Sequence, residues 1–156
     1  MRTRMPIGSR PRNSSRSALA DTSSTGSEEV TVARTRASAK KAGTSFERMI
    51  ADYLAVHVDD RIDRRVKNGA KDRGDIAGLR HHGHRVVIEC KNAVTTLLGP
   101  WAEEAETERG NDDALAGIVV HKRHGRGRPE DQWVTMTMGE LVALLTLSRD
   151  HKNALK

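Results

Sequence analysis

The sequence lacks three features that would place it in common protein classes: several cysteines, a long apolar run and many aromatic residues. Its single cysteine, Cys90, excludes a disulfide framework and the zinc sites that need several cysteines. It contains no apolar run of about 18 residues, so no segment is expected to cross a membrane. One Phe, one Tyr and two Trp are too few for base-stacking platforms built from rings on adjacent strands.

The positive charge is concentrated at the amino-terminal end. The formal net charge is +6, and residues 1–42 carry nine Lys and Arg against three Asp and Glu. The remaining residues carry 18 of each sign. Residues 1–42 are also rich in Ser and Thr, and they bury too little apolar surface to offset the entropy of ordering. We therefore predict a disordered tail over 1–42, one domain over 43–149 and a short tail over 150–156.

Three roles fit the amino-terminal tail. It could be an extension with no specific role, or a basic arm that attracts phosphates. It also has the Arg- and Ser-rich, acid-poor composition of an organellar transit peptide. It lacks the apolar segment of a secretory signal.

The order of predicted elements indicates an α/β domain. A T-x-x-E capping box at Thr44 to Glu47 predicts that a helix begins there, and apolar residues at helical spacing continue it to about residue 57. The later elements are strands 61–66, 75–79 and 85–91 with a hairpin turn at 81–84, helix 101–113, strands 116–120 and 132–138, and a helix after Gly139. Because a helix connects the third and fourth strands, we predict an α-β-β-β-α-β core with a mixed sheet flanked by helices.

Two acidic residues and a lysine lie on adjacent predicted strands. Asp75 begins one strand, and Glu89 interrupts the apolar run of the next. Side chains alternate along a strand, so Glu89 and Lys91 share one face whereas Ile88 and Cys90 point to the other. If the two strands pair through the hairpin turn, Asp75 comes near Glu89.

This arrangement predicts a metal site. Neighbouring carboxylates repel each other, and a divalent cation removes that cost. Oxygen ligands suit Mg²⁺, which keeps several waters and can bind a substrate phosphate. The predicted ligands are Asp75 and Glu89, with the backbone carbonyl of Cys90 as a third candidate. The metal would activate a water and stabilise charge on a phosphate, next to Lys91.

The D-x(13)-E-x-K spacing resembles that of the PD-(D/E)xK nuclease superfamily. The matching residues are Gly74-Asp75-Ile76 and Ile88-Glu89-Cys90-Lys91. The predicted element order is similar to the restriction-endonuclease-like core of that superfamily. With GTSFER opening the first helix, residues 43–122 resemble archaeal and phage-type Holliday junction resolvases. The resemblance implies a homodimer that cuts branched DNA with Mg²⁺ or Mn²⁺.

The resemblance also implies a role for each matching residue. Asp75 would be the central metal ligand, Glu89 the second ligand and Lys91 the catalytic lysine. Glu47 would be the first-helix acid that holds or orients the metal, although it also completes the capping box. Gly74 stands where the superfamily often has proline, which is a departure from the motif.

Two basic loops are predicted to contact the DNA backbone. Runs of charge are also typical of solvated surfaces, so this prediction has a simpler alternative. The residues are Lys67, Lys71 and Arg73 in the first loop, with Arg64 and Arg65 just before it, and Lys122, Arg123, Arg126 and Arg128 in the second loop. Because no element resembles a base-reading recognition helix, we expect DNA to be recognised by its shape.

The sequence thus predicts a metal-dependent, structure-selective DNA endonuclease that resolves four-way junctions. Two alternatives stay open: a PD-(D/E)xK restriction or repair endonuclease with another DNA target, and a DNA-binding module without catalysis. We expect the protein to act in the cytoplasm of a bacterial, archaeal or phage-infected cell and not at a membrane. Organellar targeting by the tail is the minor alternative.

Overall fold

An apolar run in the middle of the chain forms the central strand of a mixed sheet. The computed structural model describes residues 35–67 and 69–149. The strands are β1 (Asp63–Arg64), β2 (Ile76–Ala77), β3 (Arg80–His81), β4 (His84–Lys91), β5 (Ala116–His121) and β6 (Trp133–Thr135). The helices are α1 (Arg36–His57), α2 (Leu98–Asn111) and α3 (Met138–Thr146). The predicted α/β class with a mixed sheet is confirmed.

The sheet has the strand order β1-β2-β4-β5-β6, and β3 also pairs with β4. β4 and β5 are parallel, whereas every other pair in the described residues is antiparallel. Parallel neighbours need a long crossover connection, and α2 supplies it as predicted. β1 and β2 are shorter than predicted, and β2 ends where Gly78, with a φ of 87°, turns the chain.

The predicted hairpin turn is confirmed. His81 pairs with His84, and the two residues between them, His82 and Gly83, have φ values of 47° and 84°. A two-residue turn with both residues left-handed matches the twist of antiparallel strands. The pairing of Arg80 with Arg85 would place Ile76 opposite Glu89, but Ile76 lies opposite Ile88, so the register shifts by one residue around Gly78.

Helix α1 begins earlier than predicted. Its N-cap is Thr35, whose side chain accepts a hydrogen bond from the amide of Ser38 at 3.2 Å, so the prediction of a start at Thr44 is wrong. Residues 36–42, assigned above to the tail, are rich in Ala and Lys, which favour helix and extend α1 backwards. The rest of the predicted tail, 1–34, and residues 150–156 lie outside the described part of the chain.

Helices cover both faces of the sheet. On one face α1 packs Phe46 and Ile50 into a cluster with Ile88. On the other face α2 packs Trp101 against Val119. Because side chains alternate along β4, Glu89 faces α2 and its neighbours in sequence face α1. Within 35–67 and 69–149, none of the helices has the length and apolar character needed to cross a bilayer.

Candidate metal centre

The end of β4 carries an acid and a lysine towards α2. Glu89 is 3% exposed, and the side chain of Lys91 is half-buried. The Lys91 ammonium lies 2.6 Å from Oε1 of Glu89 and 2.5 Å from Oε2 of Glu104 on α2. The predicted placement of Glu89 and Lys91 on one face is confirmed, and it puts both beside a helix.

Asp75 lies against the backbone of β4. Its side chain is 2% exposed, and its Oδ2 accepts a hydrogen bond from the amide of Cys90 at 2.9 Å. The Asp75 amide donates in turn to the carbonyl of Ile88 at 2.9 Å. The other carboxylate oxygen, Oδ1, forms an ion pair with Nζ of Lys67 at 3.0 Å. The sheet therefore holds Asp75 beside Cys90, whose carbonyl is the third candidate ligand.

Gly74 gives the physical reason for the departure from the superfamily motif. Its φ is 89°, which proline cannot adopt because its ring holds φ near −65°. A Cβ at this position would lie 2.7 Å from Cγ1 of Val87 and 2.9 Å from the carbonyl oxygen of Ile88. Glycine lets the chain pass this close to β4 and so places Asp75 against it.

Glu47 is buried on α1, on the side of the sheet opposite to Glu89. Because α1 begins at Arg36, Glu47 lies in the helix interior, and the capping-box explanation for it is wrong. The side chain accepts a hydrogen bond from Nε of Arg64 at 2.6 Å. Glu47, Arg64 and Lys67 line a cleft of about 550 Å³. Arg64 therefore holds the acid at the edge of this cleft.

Lys67 is the residue on which the three predicted acids act together. Burial lowers the pKa of Lys67, but the hydrogen bond to Asp75 and the charges of Glu89 and Glu47 outweigh it, so the pKa is raised. The same three acids, after burial itself, raise the pKa of the Cys90 thiol. The predicted acids thus share one electrostatic environment, in which a lysine is the compensating cation.

Helix α2 contributes two acids that the sequence analysis did not include. One carboxylate oxygen from each of Glu89, Glu104 and Glu108 lies within 4.8 Å of the other two. Glu104 and Glu108 are four residues apart, which places them on the same side of a helix. The signal in the sequence was that Glu108 continues the spacing of the apolar Trp101 and Ala105, and so belongs to the buried face.

Burial favours the protonated forms of two of these acids. Burial and then the charge of Asp75 raise the pKa of Glu89 to about 9, while Lys91 acts in the opposite direction. Burial also raises the pKa of Glu108 to about 7, against a hydrogen bond with Glu89. A bound cation would compete with these protons, because carboxylate ligands bind metals in their ionised form.

The nine predicted DNA-binding residues divide into two sets. One set forms ion pairs with buried acids: Arg64, Arg65, Lys67 and Arg73. The other five form no ion pair with a buried acid in the described residues and are half-buried or exposed at the surface: Lys71, Lys122, Arg123, Arg126 and Arg128. Arg64 and Lys67 therefore bind two of the predicted site acids, and the second set is accessible to a large ligand.

The second basic loop lies at the same edge of the sheet as Lys91. The amide of Lys122 donates to the carbonyl of Lys91 at 2.9 Å, and a ring nitrogen of His124 lies 3.2 Å from the carbonyl of Ala93. Because β4 and β5 are parallel, their carboxyl ends meet at one edge. The structure thus places this loop next to the candidate centre.

Comparisons with protein-family models, curated proteins and solved structures found no match for this chain. The chemistry of the site must therefore carry the functional argument. That chemistry consists of buried acids on both faces of one strand, two lysines that partly neutralise them, and a basic loop at the same edge.

Proposed function

We propose that the protein is a metal-dependent DNA endonuclease of the PD-(D/E)xK type, built on a restriction-endonuclease-like core. The observation that carries the proposal is the burial of Asp75, directly before β2, and of Glu89 on β4, with Lys91 in contact with the second acid. Burying several carboxylates together costs free energy, and a fold that needed only packing would use apolar residues there. We therefore infer that these acids serve a function other than packing.

Asp75 and Glu89 would hold Mg²⁺ or Mn²⁺, with the carbonyl of Cys90 completing the protein ligands, and Glu47 would orient the centre through its charge on Lys67. Carboxylate and carbonyl oxygens suit both ions. When bound, such an ion would lower the pKa of a bound water and neutralise the phosphate. Overall, hydrolysis would form a bond from a water oxygen to phosphorus and break the bond from phosphorus to the leaving oxygen, which would take up the proton that the water gives up.

Lys91 would act as a proton donor or an electrostatic partner rather than as a base. Burial lowers its pKa, but the hydrogen bonds to Glu104 and Glu89 outweigh burial, so the pKa is raised. The side chain therefore stays protonated at neutral pH. A positioned ammonium can stabilise the charge that develops on the phosphate oxygens in the transition state.

Branched DNA, in particular a four-way junction, is the proposed substrate, and a homodimer is the proposed assembly. Both depend on the resemblance of residues 43–122 to junction resolvases. Exposed basic side chains of the second loop would contact phosphates near the centre. Exposed apolar side chains on α3 and β6, among them Met138, Leu145 and Trp133, offer a surface that a second subunit could cover.

A specific observation favours the non-catalytic alternative as a second candidate. Lys67 already balances the charge of Asp75 at 3.0 Å, and an acid balanced in this way does not require a metal. In that case the basic loops would bind DNA and the acids would serve only the fold. The two functions differ in whether DNA is cut.

The test is to incubate the full-length protein with a labelled synthetic four-way junction and with a linear duplex made from the same strands. Each substrate is tested with Mg²⁺, with Mn²⁺ and with EDTA. Paired nicks across the junction that need the metal and do not occur in the duplex support the proposal. Equal cutting of the duplex would support nuclease activity but contradict specificity for junctions. Tight binding without cutting would support the non-catalytic DNA-binding alternative.

A further inference from the structure

We propose that Glu104 and Glu108 of α2 form a divalent-cation site together with Glu89, next to the site formed by Asp75 and Glu89. Its part in DNA cutting rests on the proposed nuclease function, but its ability to bind a cation does not. Glu89 would bridge the two ions, as carboxylates do in two-metal centres of phosphate-processing enzymes.

The geometry of the three acids suits a small, hard cation. Their nearest carboxylate oxygens lie within 4.8 Å of one another. Mg²⁺ binds oxygens at about 2.0–2.1 Å, so ligands on opposite sides of the ion lie about 4 Å apart. Small rotations of the glutamate side chains cover the difference. Glu89 stands on a strand and the other two on a helix packed against it, so the site joins two rigid elements.

A second observation, independent of this clustering, points to a missing ligand. Glu108 is 5% exposed, yet its Oε2 has no hydrogen-bond partner among the described residues. Buried carboxylate oxygens are almost always paired, because water can no longer solvate them. A cation bound between α2 and β4 would satisfy this oxygen.

In its ionised form the cluster also has more negative charge than its one ion-pair partner balances. The ammonium of Lys91 contacts Glu89 and Glu104. No basic side chain in the described part of the chain forms an ion pair with Glu108. One lysine against three ionised carboxylates leaves a deficit that a divalent cation would match. Binding of that cation would free Lys91 from Glu104, so that its ammonium could turn towards a phosphate.

A cleft gives access to the cluster from solvent. Its volume is about 280 Å³, and Glu104 and Glu108 both line it together with Asp72 of the loop before β2. A hydrated ion could therefore reach the two α2 acids without opening of the fold. This route lies on the α2 side, whereas the cleft at Glu47 has a different lining.

The test measures Mn²⁺ binding to the full-length protein by isothermal titration calorimetry and by electron paramagnetic resonance. The variants are Glu104→Gln, Glu108→Gln and Asp75→Asn. Glu103→Gln is the matched control, because Glu103 is an exposed acid on the same helix. We expect two bound ions in the wild type and in Glu103→Gln. We expect Glu104→Gln and Glu108→Gln to weaken one ion at least tenfold, while Asp75→Asn removes the other.

Wild-type affinity in both Glu104→Gln and Glu108→Gln would overturn the proposal, as would a single ion that only Asp75→Asn removes. Glu104 is exposed, so Glu104→Gln decides the matter if Glu108→Gln does not fold. Two bound ions without DNA cutting would support this cation site and contradict the proposed nuclease function. DNA cutting with a single ion that depends on Asp75 would support the nuclease function and contradict this cation site.

Discussion

At the scale of single residues, the candidate centre is governed by how its buried acids are neutralised. Asp75 has Lys67 as its partner, and Glu89 has Lys91. Removing one partner of a buried pair leaves an uncompensated charge, which is more costly than never having buried the pair. The two lysines therefore supply positive charge that a bound metal ion could also supply. Without them, the stability of the fold should depend more strongly on added metal.

Lys67→Met should destabilise the metal-free protein and make it more responsive to metal. We expect a loss of about 1–2 kcal/mol of unfolding free energy, less than for a fully buried pair because half of the Lys67 side chain is exposed. Mn²⁺ should restore most of this loss by binding Asp75. Thermal unfolding with Mn²⁺ and with EDTA measures both effects, with Lys71→Met as an exposed control in the same loop. A variant that stays equally unstable with Mn²⁺ would argue against a metal at Asp75.

His121 provides a pH-dependent prediction at the end of β5. The residue is buried, and burial lowers its pKa below the ordinary value of 6.5. The folded protein therefore binds fewer protons at this ring than the unfolded chain does below about pH 6.5, so its contribution to stability is lost as pH falls. We expect His121→Gln, which can keep a hydrogen bond to Thr135, to reduce the stability loss between pH 7 and pH 5. Equal losses in the two proteins, measured by urea unfolding, would refute this.

At the scale of elements, the distance between α2 and the sheet decides whether the α2 acids reach Glu89. A Cβ on Gly117 of β5 would lie 2.5 Å from the carbonyl oxygen of Ala105 on α2. Real Cβ contacts are not this short, so any other residue at this position must push the helix outwards. Gly117 thus sets the separation of α2 and β5.

Gly117→Ala should therefore weaken both folding and the metal site on α2. We expect a loss of about 2 kcal/mol, in the range of overpacked cores, and loss of the Mn²⁺ ion that depends on Glu108. Gly110→Ala is the control, because a Cβ there meets nothing within 4 Å and alanine favours helix. It should stabilise the protein by about 0.5–1 kcal/mol. A tolerated Gly117→Ala with unchanged Mn²⁺ binding would contradict the account of helix placement.

The elements with strong local signals were predictable from the sequence. The apolar run of β4, the His82-Gly83 turn and the crossover helix all appear as expected, because each depends on neighbours in sequence. The start of α1 was predicted wrongly, since a capping box can also occur inside a helix when the residues before it favour helix. Strand lengths at β1 and β2 depend on pairing partners that are distant in the chain, which local patterns do not report.

The candidate site was predictable in part for the same reason. Asp75, Glu89 and Lys91 stand out because charged residues are unusual in or beside apolar strands. Glu104 and Glu108 lie in a helix full of acids, and only the packing of α2 distinguishes them from their exposed neighbours. The ion pair between Lys67 and Asp75 depends on the path of a loop, and its spacing carries no recognisable signal.

At the scale of the whole molecule, as far as residues 35–67 and 69–149 describe it, charge is arranged around one edge of the sheet. The acids are buried between the sheet and its helices, while the exposed basic residues of the second loop stand beside Lys91. A polyanion bound by that loop would lie close to the acids. Because these acids are buried and paired with lysines, they would repel the polyanion only weakly. This arrangement suits an enzyme that acts on nucleic acid backbones.

Replacing both Arg126 and Arg128 with alanine should weaken binding of junction and duplex DNA to a similar extent. Each lost phosphate contact lowers the slope of log affinity against log salt concentration by about 0.9, so we expect a decrease of up to about 2. Arg61→Ala is the control, because Arg61 is exposed but pairs with Asp59. Fluorescence anisotropy at several salt concentrations measures the slope. An unchanged slope would place DNA elsewhere on the protein.

The central claim is that Asp75 belongs to a centre that cuts DNA with a divalent metal. The most direct measurement is the single-turnover rate of junction cleavage with Mn²⁺ by Asp75→Asn, with junction affinity measured in the same samples. Asp113→Asn is the control, because Asp113 is exposed and its φ of 47° suits asparagine. The account predicts a rate at least about a thousandfold lower for Asp75→Asn, with unchanged affinity, and a wild-type rate for the control. Cleavage by Asp75→Asn at the wild-type rate, or no cleavage by the wild type, would contradict it.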